Sequence, residues 1–292
     1  MNTQTKMTII AIVIVIPLTS VAVYDTNTNP QFINNNNSKL QAISSFNPLH
    51  EFSQIIGGEK IDVTLLIPVG VEPHDWEPTI KDVQQMHKSN FIIINGIGFE
   101  NWINNLIENN YQGTIVDTSR QIPIKETDPH IWLNPVFASN QVGHIALAFS
   151  NLDPENEEYY MTNAAKYSEK LHLLDLKIRT DLTDCKRNFI TFHDAFSYFA
   201  DEYDLNQHTI VATTNSYGEI TAKTLENIIS IAREQNITII FSEKTVNIKT
   251  SQIIANELGG KVLVLSSLEI VSEDNYISKM IQNLENLKEA LC

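Results

Sequence analysis

Three histidines sit in loops that follow apolar runs in different thirds of the chain. They are His74 in Val71-Glu-Pro-His-Asp-Trp-Glu-Pro, His130 in Asp128-Pro-His-Ile-Trp-Leu-Asn-Pro, and His193 in Phe192-His-Asp-Ala-Phe. Imidazoles converging from separate loops hold a borderline-soft divalent cation, zinc above all. The trio alone leaves two chemistries open. The ion is either held for delivery, or it activates a water at an open fourth position, as in a zinc hydrolase or lyase. The remaining histidines offer less. His87, His144 and His172 fall in helical stretches with no partner ligand four residues on, and His208 opens a strand. His50, at the start of a helix near the expected cleft, is kept for a supporting role.

The elements that must position these loops alternate along the chain. Leu40–Phe46, Ile61–Leu66, Phe91–Asn95 and Thr114–Asp117 read as strands, separated by helical patterns at Pro48–Ile56, Thr79–Lys88, Glu100–Glu108 and Pro135–Ser150. The alternation returns with strands at Asn188–Phe192, His208–Ala212, Thr238–Ser242 and Lys261–Leu265. Strands alternating with helices imply parallel sheets, so two sets imply two α/β lobes. Between them Asp153-Pro-Glu opens a helical stripe of Tyr160, Ala164, Tyr167, Leu171, Leu174, Ile178 and Leu182. A helix over 154–184 would be roughly 45 Å long, a strut rather than a crossover. Ligands of open parallel sheets lie beyond the carboxyl ends of strands, which places all three histidines at the edge where a cleft between lobes would open.

Composition narrows the class. A net charge of −15 argues against nucleic acid and suits a cationic ligand. The two cysteines, Cys185 and Cys292, exclude a disulfide framework and a thiolate-rich zinc knuckle. Met7–Tyr24 is uncharged and apolar, roughly 27 Å long as a helix, and reads as a signal peptide or a membrane anchor over residues 1–24. Residues 25–39, rich in Asn and Thr, read as a flexible spacer. The rest divides into a lobe at 40–152, a linking helix at 153–185 and a second lobe at 186–292. Gly96-Ile-Gly98 lacks the third glycine of a dinucleotide loop, and no Ser-His-Asp or Cys-His arrangement has support.

From about Leu40 to the C-terminus the chain resembles the zinc- and manganese-specific solute-binding proteins of ABC transporters. Ser45-Phe-Asn-Pro-Leu-His-Glu-Phe with Ile56-Gly-Gly-Glu-Lys is similar to that family's opening strand and helix. The His74 loop is similar to its first ligand loop, Asn95-Gly-Ile-Gly-Phe-Glu-Asn-Trp to the stretch that follows, the His130 loop to its second ligand loop, and Phe192-His-Asp-Ala-Phe-Ser-Tyr-Phe to its third. The resemblance implies two α/β lobes on a backbone helix with the metal buried between them. It also implies an extracytoplasmic monomer at the outer face of the membrane that hands its ion to a permease and is not an enzyme.

The fourth corner departs from the family, which commonly places an Asp in a Val-Leu-x-Leu-Asp-Pro-Leu pattern. Here the residues are Val262-Leu-Val-Leu-Ser-Ser-Leu, with Ser266 at that position, and a neutral hydroxyl is a poor zinc ligand beside a carboxylate. Glu243 and water stand level as substitutes, ahead of Glu72 and then Glu269. The expected metal set is therefore His74, His130, His193 and Glu243. Asp75, Asp128 and Asp194 are placed to accept an imidazole N–H, Asp194 equally to cap a helix beginning at Ala195, and Trp76 and Trp132 to pack near the cleft wall. The segment Ser119–Thr127 is short and without histidine, unlike the collecting loop that zinc members often carry. Three imidazoles still favour zinc over manganese, which takes a more oxygen-rich shell.

Overall fold

A computed structural model describes residues 39–125, 128–211, 221–243, 248–271 and 273–292. The N-terminal apolar segment and the spacer up to Ser38 lie outside the described residues. No described helix is long and apolar enough to cross a membrane.

Residues Lys39–Cys292 form one compact unit carrying two sheets. The first holds β1 (Leu40–Ser44), β2 (Ile61–Leu65), β3 (Phe91–Ile94) and β4 (Thr114–Asp117), all parallel, in the order β2-β1-β3-β4. Helices α1 (Asn47–Gly57), α2 (Ile80–Met86), α3 (Ile103–Glu108) and α4 (Pro135–Leu152) alternate with them. After the linking helix α5 (Glu157–Asp181) come β5 (Asn188–His193), α6 (Ser197–Glu202), β6 (Asn206–Val211), α7 (Ala222–Glu234), β7 (Ile239–Ser242), α8 (Lys249–Glu257), β8 (Lys261–Val264) and α9 (Tyr276–Leu291). The second sheet is again parallel, in the order β6-β5-β7-β8. The architecture is two α/β lobes joined by one long helix, as the alternation of strands and helices implies. The shared strand order puts a topological switch point between β1 and β3 in one lobe and between β5 and β7 in the other, where open sheets bind ligands.

Local chemistry explains the helix starts. Pro48 and Pro135 occupy first-turn positions, where a missing N–H costs nothing. The Asn134 side chain accepts from Val136 N at 2.8 Å, and Thr79 with Asp82 forms a capping box. α3 begins at Ile103, not at Glu100, because the Glu100 carboxylate turns inward to Ser45 and to the backbone of Asn95 and Gly96. The turn that allows this needs Gly96 at φ 88°, where a Cβ would also meet an Asp117 oxygen at 2.3 Å.

The linking helix starts three residues late, after a 3-10 turn at Pro154–Asn156. Asp153 braces that turn, accepting from Asn156 Nδ2 at 2.8 Å and Tyr160 Oη at 2.6 Å. Over its 25 residues α5 is roughly 37 Å long. Its expected stripe from Tyr160 to Ile178 is buried, and it packs along α4, α1 and α9.

The two cysteines form no framework, yet Cys185 and Cys292 are bonded to each other across 107 residues. Their separation hid the pairing: Cys185 follows the end of α5, Cys292 follows α9, and those helices pack side by side.

Candidate metal centre

Each histidine reaches the cleft by a different local device. His74 lies in the loop between β2 and α2, where Val71 N bonds Pro68 O and Trp76 N bonds Pro73 O, so successive turns stiffen the chain. Its ring stands edge-on to Phe99, with centroids 4.9 Å apart. His130 enters a 3-10 turn at Ile131–Leu133, and Asn95 Nδ2 holds the preceding Pro129 carbonyl at 2.8 Å. His193 is the last residue of β5.

The structure brings the three rings together with Glu269. One ligand atom from each of His74, His130, His193 and Glu269 lies within 4.8 Å of the others. Glu269 Oε1 stands 3.6 Å from His74 Nε2 and 3.5 Å from His130 Nε2. His130, His193 and Glu269 are buried and His74 is half-buried. The Nε2 atoms of all three histidines and Oε1 of Glu269 are buried without a hydrogen-bond partner, and so is Nδ1 of His193, which stands in ion-pair contact with Glu243. Four converging buried polar atoms left unbonded are costly unless something else satisfies them.

Glu243, the carboxylate expected at the fourth corner, is placed differently. It contacts Nδ1 of His193, on the other side of that ring from Nε2, and accepts Ser267 Oγ at 2.6 Å. Glu269 fills the position among the Nε2 atoms instead, and the turn after β8 explains how. Ser266 Oγ accepts from Leu268 N at 3.2 Å, and Asn283 pins the Ser266 backbone on both sides, at 2.8 Å each. Leu268 then takes φ 64°, uncommon for a side-chain-bearing residue, and the chain reverses to aim Glu269 at the cluster. Ser266 thus shapes a turn and leaves the charge to Glu269. An acid three residues past the departing position was the available signal for it.

Among the flanking acids, Asp128 accepts His130 Nδ1 at 2.7 Å and also receives the Ser197 hydroxyl. Asp194 is not the partner of His193 Nδ1, a place that Glu243 takes. Trp132 is buried and donates Nε1 to Ser267 O at 2.7 Å, while Trp76 packs on Trp102. His144 and His208 bond Thr118 O and Asn188 Oδ1, His87 stands by Tyr111, and His172 lies exposed on α5. His50 lines a cavity of about 850 Å³ between α1, α5 and α9, outside the cluster.

The electrostatics are those of a site built around charge. Burial alone would raise Glu269, but contacts with His130 and His74 outweigh it and hold the carboxyl well below the usual range. Burial opposes protonation of His130 too, and Asp128 and Glu269 overcome it, pushing that imidazole up to about 9. Glu72 is driven up to about 8 by burial and then by the neighbouring charge of Glu269.

Two parallel α/β lobes on a long helix, with a buried imidazole–carboxylate cluster contributed by both, define a solute-binding protein. The chain belongs to the ZnuA family, described as zinc-uptake complex component A, periplasmic, whose model matches residues 43–290. The high-affinity zinc uptake system protein ZnuA of Bacillus subtilis is 35% identical over 281 residues, covering 87% of this chain and 88% of its own length. Zinc-binding lipoprotein AdcA of Streptococcus pneumoniae is 30% identical over 279 residues, which are 86% of this chain and 56% of AdcA. The crystal structure of the metal-dependent lipoprotein YcdH from Bacillus subtilis has a TM-score of 0.79 at 37% identity, covering 87% of this chain and 99% of that one.

Proposed function

We propose that this chain captures a zinc ion outside the cytoplasm, between its lobes, and hands it to the permease of an ABC transporter. The carrying observation is the set of unbonded buried atoms: Nε2 of His74, His130 and His193 with Oε1 of Glu269. Three imidazoles and one carboxylate match zinc's preference for four ligands and suit manganese less well. Glu269 occupies the corner that a hydrolytic water would need, which supports a carrier and not an enzyme. The lobes are taken as 40–152 and 186–292 on a linker at 153–185, acting as a monomer without nucleic acid. The Cys185–Cys292 bond supports an oxidising compartment, as expected at the outer face of the membrane, whether the protein is anchored or secreted. Binding to the folded state alone adds about 4 kcal/mol at a thousandfold excess of free zinc over Kd. Calorimetric melting with and without zinc or manganese tests this. A rise in Tm with zinc exceeding that with manganese is expected; no rise with zinc overturns the reading.

A further inference from the structure

Beside the centre a line of side chains runs from Glu243 through Ser267 to Trp132. β5 and β7 are adjacent parallel strands with Thr191 opposite Phe241. Carried two residues further, that register sets His193 beside Glu243, and the Nδ1–carboxylate contact is made. The second oxygen of Glu243 accepts Ser267 Oγ at 2.6 Å. Ser267 lies two residues before Glu269, and its carbonyl accepts Trp132 Nε1 at 2.7 Å. The Trp132 ring in turn stands 5.1 Å from that of His130. Glu243 is 9% exposed and engaged on both oxygens.

We propose that Glu243 is the positioning carboxylate of the centre: it holds the His193 Nδ1–H so that Nε2 is the bare nitrogen, and through Ser267 it fastens that ring to the turn bearing Glu269. This rests on the four-residue centre proposed above. An imidazole whose Nδ1–H is held by a carboxylate is fixed in tautomer and orientation and is a more basic donor through Nε2. His130 has a partner of the same kind in Asp128, two residues away in its own loop. For His193 the partner comes from a neighbouring strand, so the two C-terminal ligands are aligned by sheet register and one shared serine.

The test is competitive zinc titration of wild type, Glu243→Ala, Glu243→Gln and Ser267→Ala, with nitrogen-edited proton spectra of the zinc-loaded imidazoles. Glu243→Ala is expected to weaken zinc binding about 10- to 100-fold. It should also abolish the downfield, slowly exchanging N–H signal of His193 while sparing that of His130. Glu243→Gln, which keeps an oxygen to accept from Nδ1–H, should recover most of the affinity, a rescue that mere packing damage would not show. Unchanged affinity with both N–H signals intact in Glu243→Ala would overturn the proposal, as would a zinc-loaded crystal structure with Glu243 on the metal. Wild type that takes up no zinc would sink the centre and this proposal together, whereas a Glu243→Ala variant matching a zinc-binding wild type sinks only this one.

Discussion

The two lobes share a strand order and use it differently. In the C-terminal lobe the switch point itself carries chemistry: His193 ends β5, Glu243 follows β7, and backbone pairing sets their spacing. In the N-terminal lobe the switch point between β1 and β3 holds a buried brace. There Glu100 accepts Ser45 Oγ at 2.6 Å and Asn95 N at 2.8 Å, and the Asn95 side chain holds the carbonyl before His130. Its two histidines of the cluster, His74 and His130, arrive on loops that follow the edge strands β2 and β4. The C-terminal lobe sets His193 by register and carries Glu269 on a turn after its edge strand β8, whereas the N-terminal lobe uses polar props, so a single topology supports two ways of placing an imidazole.

That contrast can be broken at three points. The largest effect is expected at the covalent tie, which only the C-terminal lobe has among the described residues. Cys185→Ser with Cys292→Ser should cost about 4 kcal/mol in urea unfolding of the metal-free protein, given the long loop that the bond closes. A loss under about 1 kcal/mol would mean that packing of α9 on α5 suffices alone. Next come the ligands. His74→Ala and His193→Ala should each lower zinc affinity by more than about 100-fold, the upper range for losing a mere outer partner. A His74 variant losing less than tenfold in chelator competition would make the loop-borne ligand dispensable.

The third is the brace, where burial pushes Glu100 up to about 7. Between pH 4.5 and 7 the unfolded chain has released this proton and the folded chain keeps it, so stability from this group falls as pH rises, by about 3 kcal/mol at most. Glu100→Gln lacks that slope. The gap between wild type and variant in urea melts should narrow from pH 4.5 to 7, and a constant gap would show an ordinary carboxyl.

Much of this was legible in the sequence, and the exceptions share a cause. The alternation of short apolar runs predicted two parallel sheets, and the stripe from Tyr160 to Ile178 predicted the linking helix, because both are periodicities within one segment. The convergence of His74, His130 and His193 followed from strand-end positions in such sheets. What escaped depends on the pairing of distant segments or on one backbone angle. The neighbours His193 and Glu243 are 50 residues apart in the chain and meet only through strand register. The aim of Glu269 depends on Leu268 turning left-handed, which no residue type nearby announces. Cys185 and Cys292 meet only because α5 and α9 are neighbours.

The bond between those cysteines has a mechanical side. The chain enters the C-terminal lobe from the end of α5 and is tied back at nearly the same place, so that lobe hangs from the strut by two covalent strands. Fraying of α9 from the strut is thereby limited, since Cys292 cannot leave the end of α5.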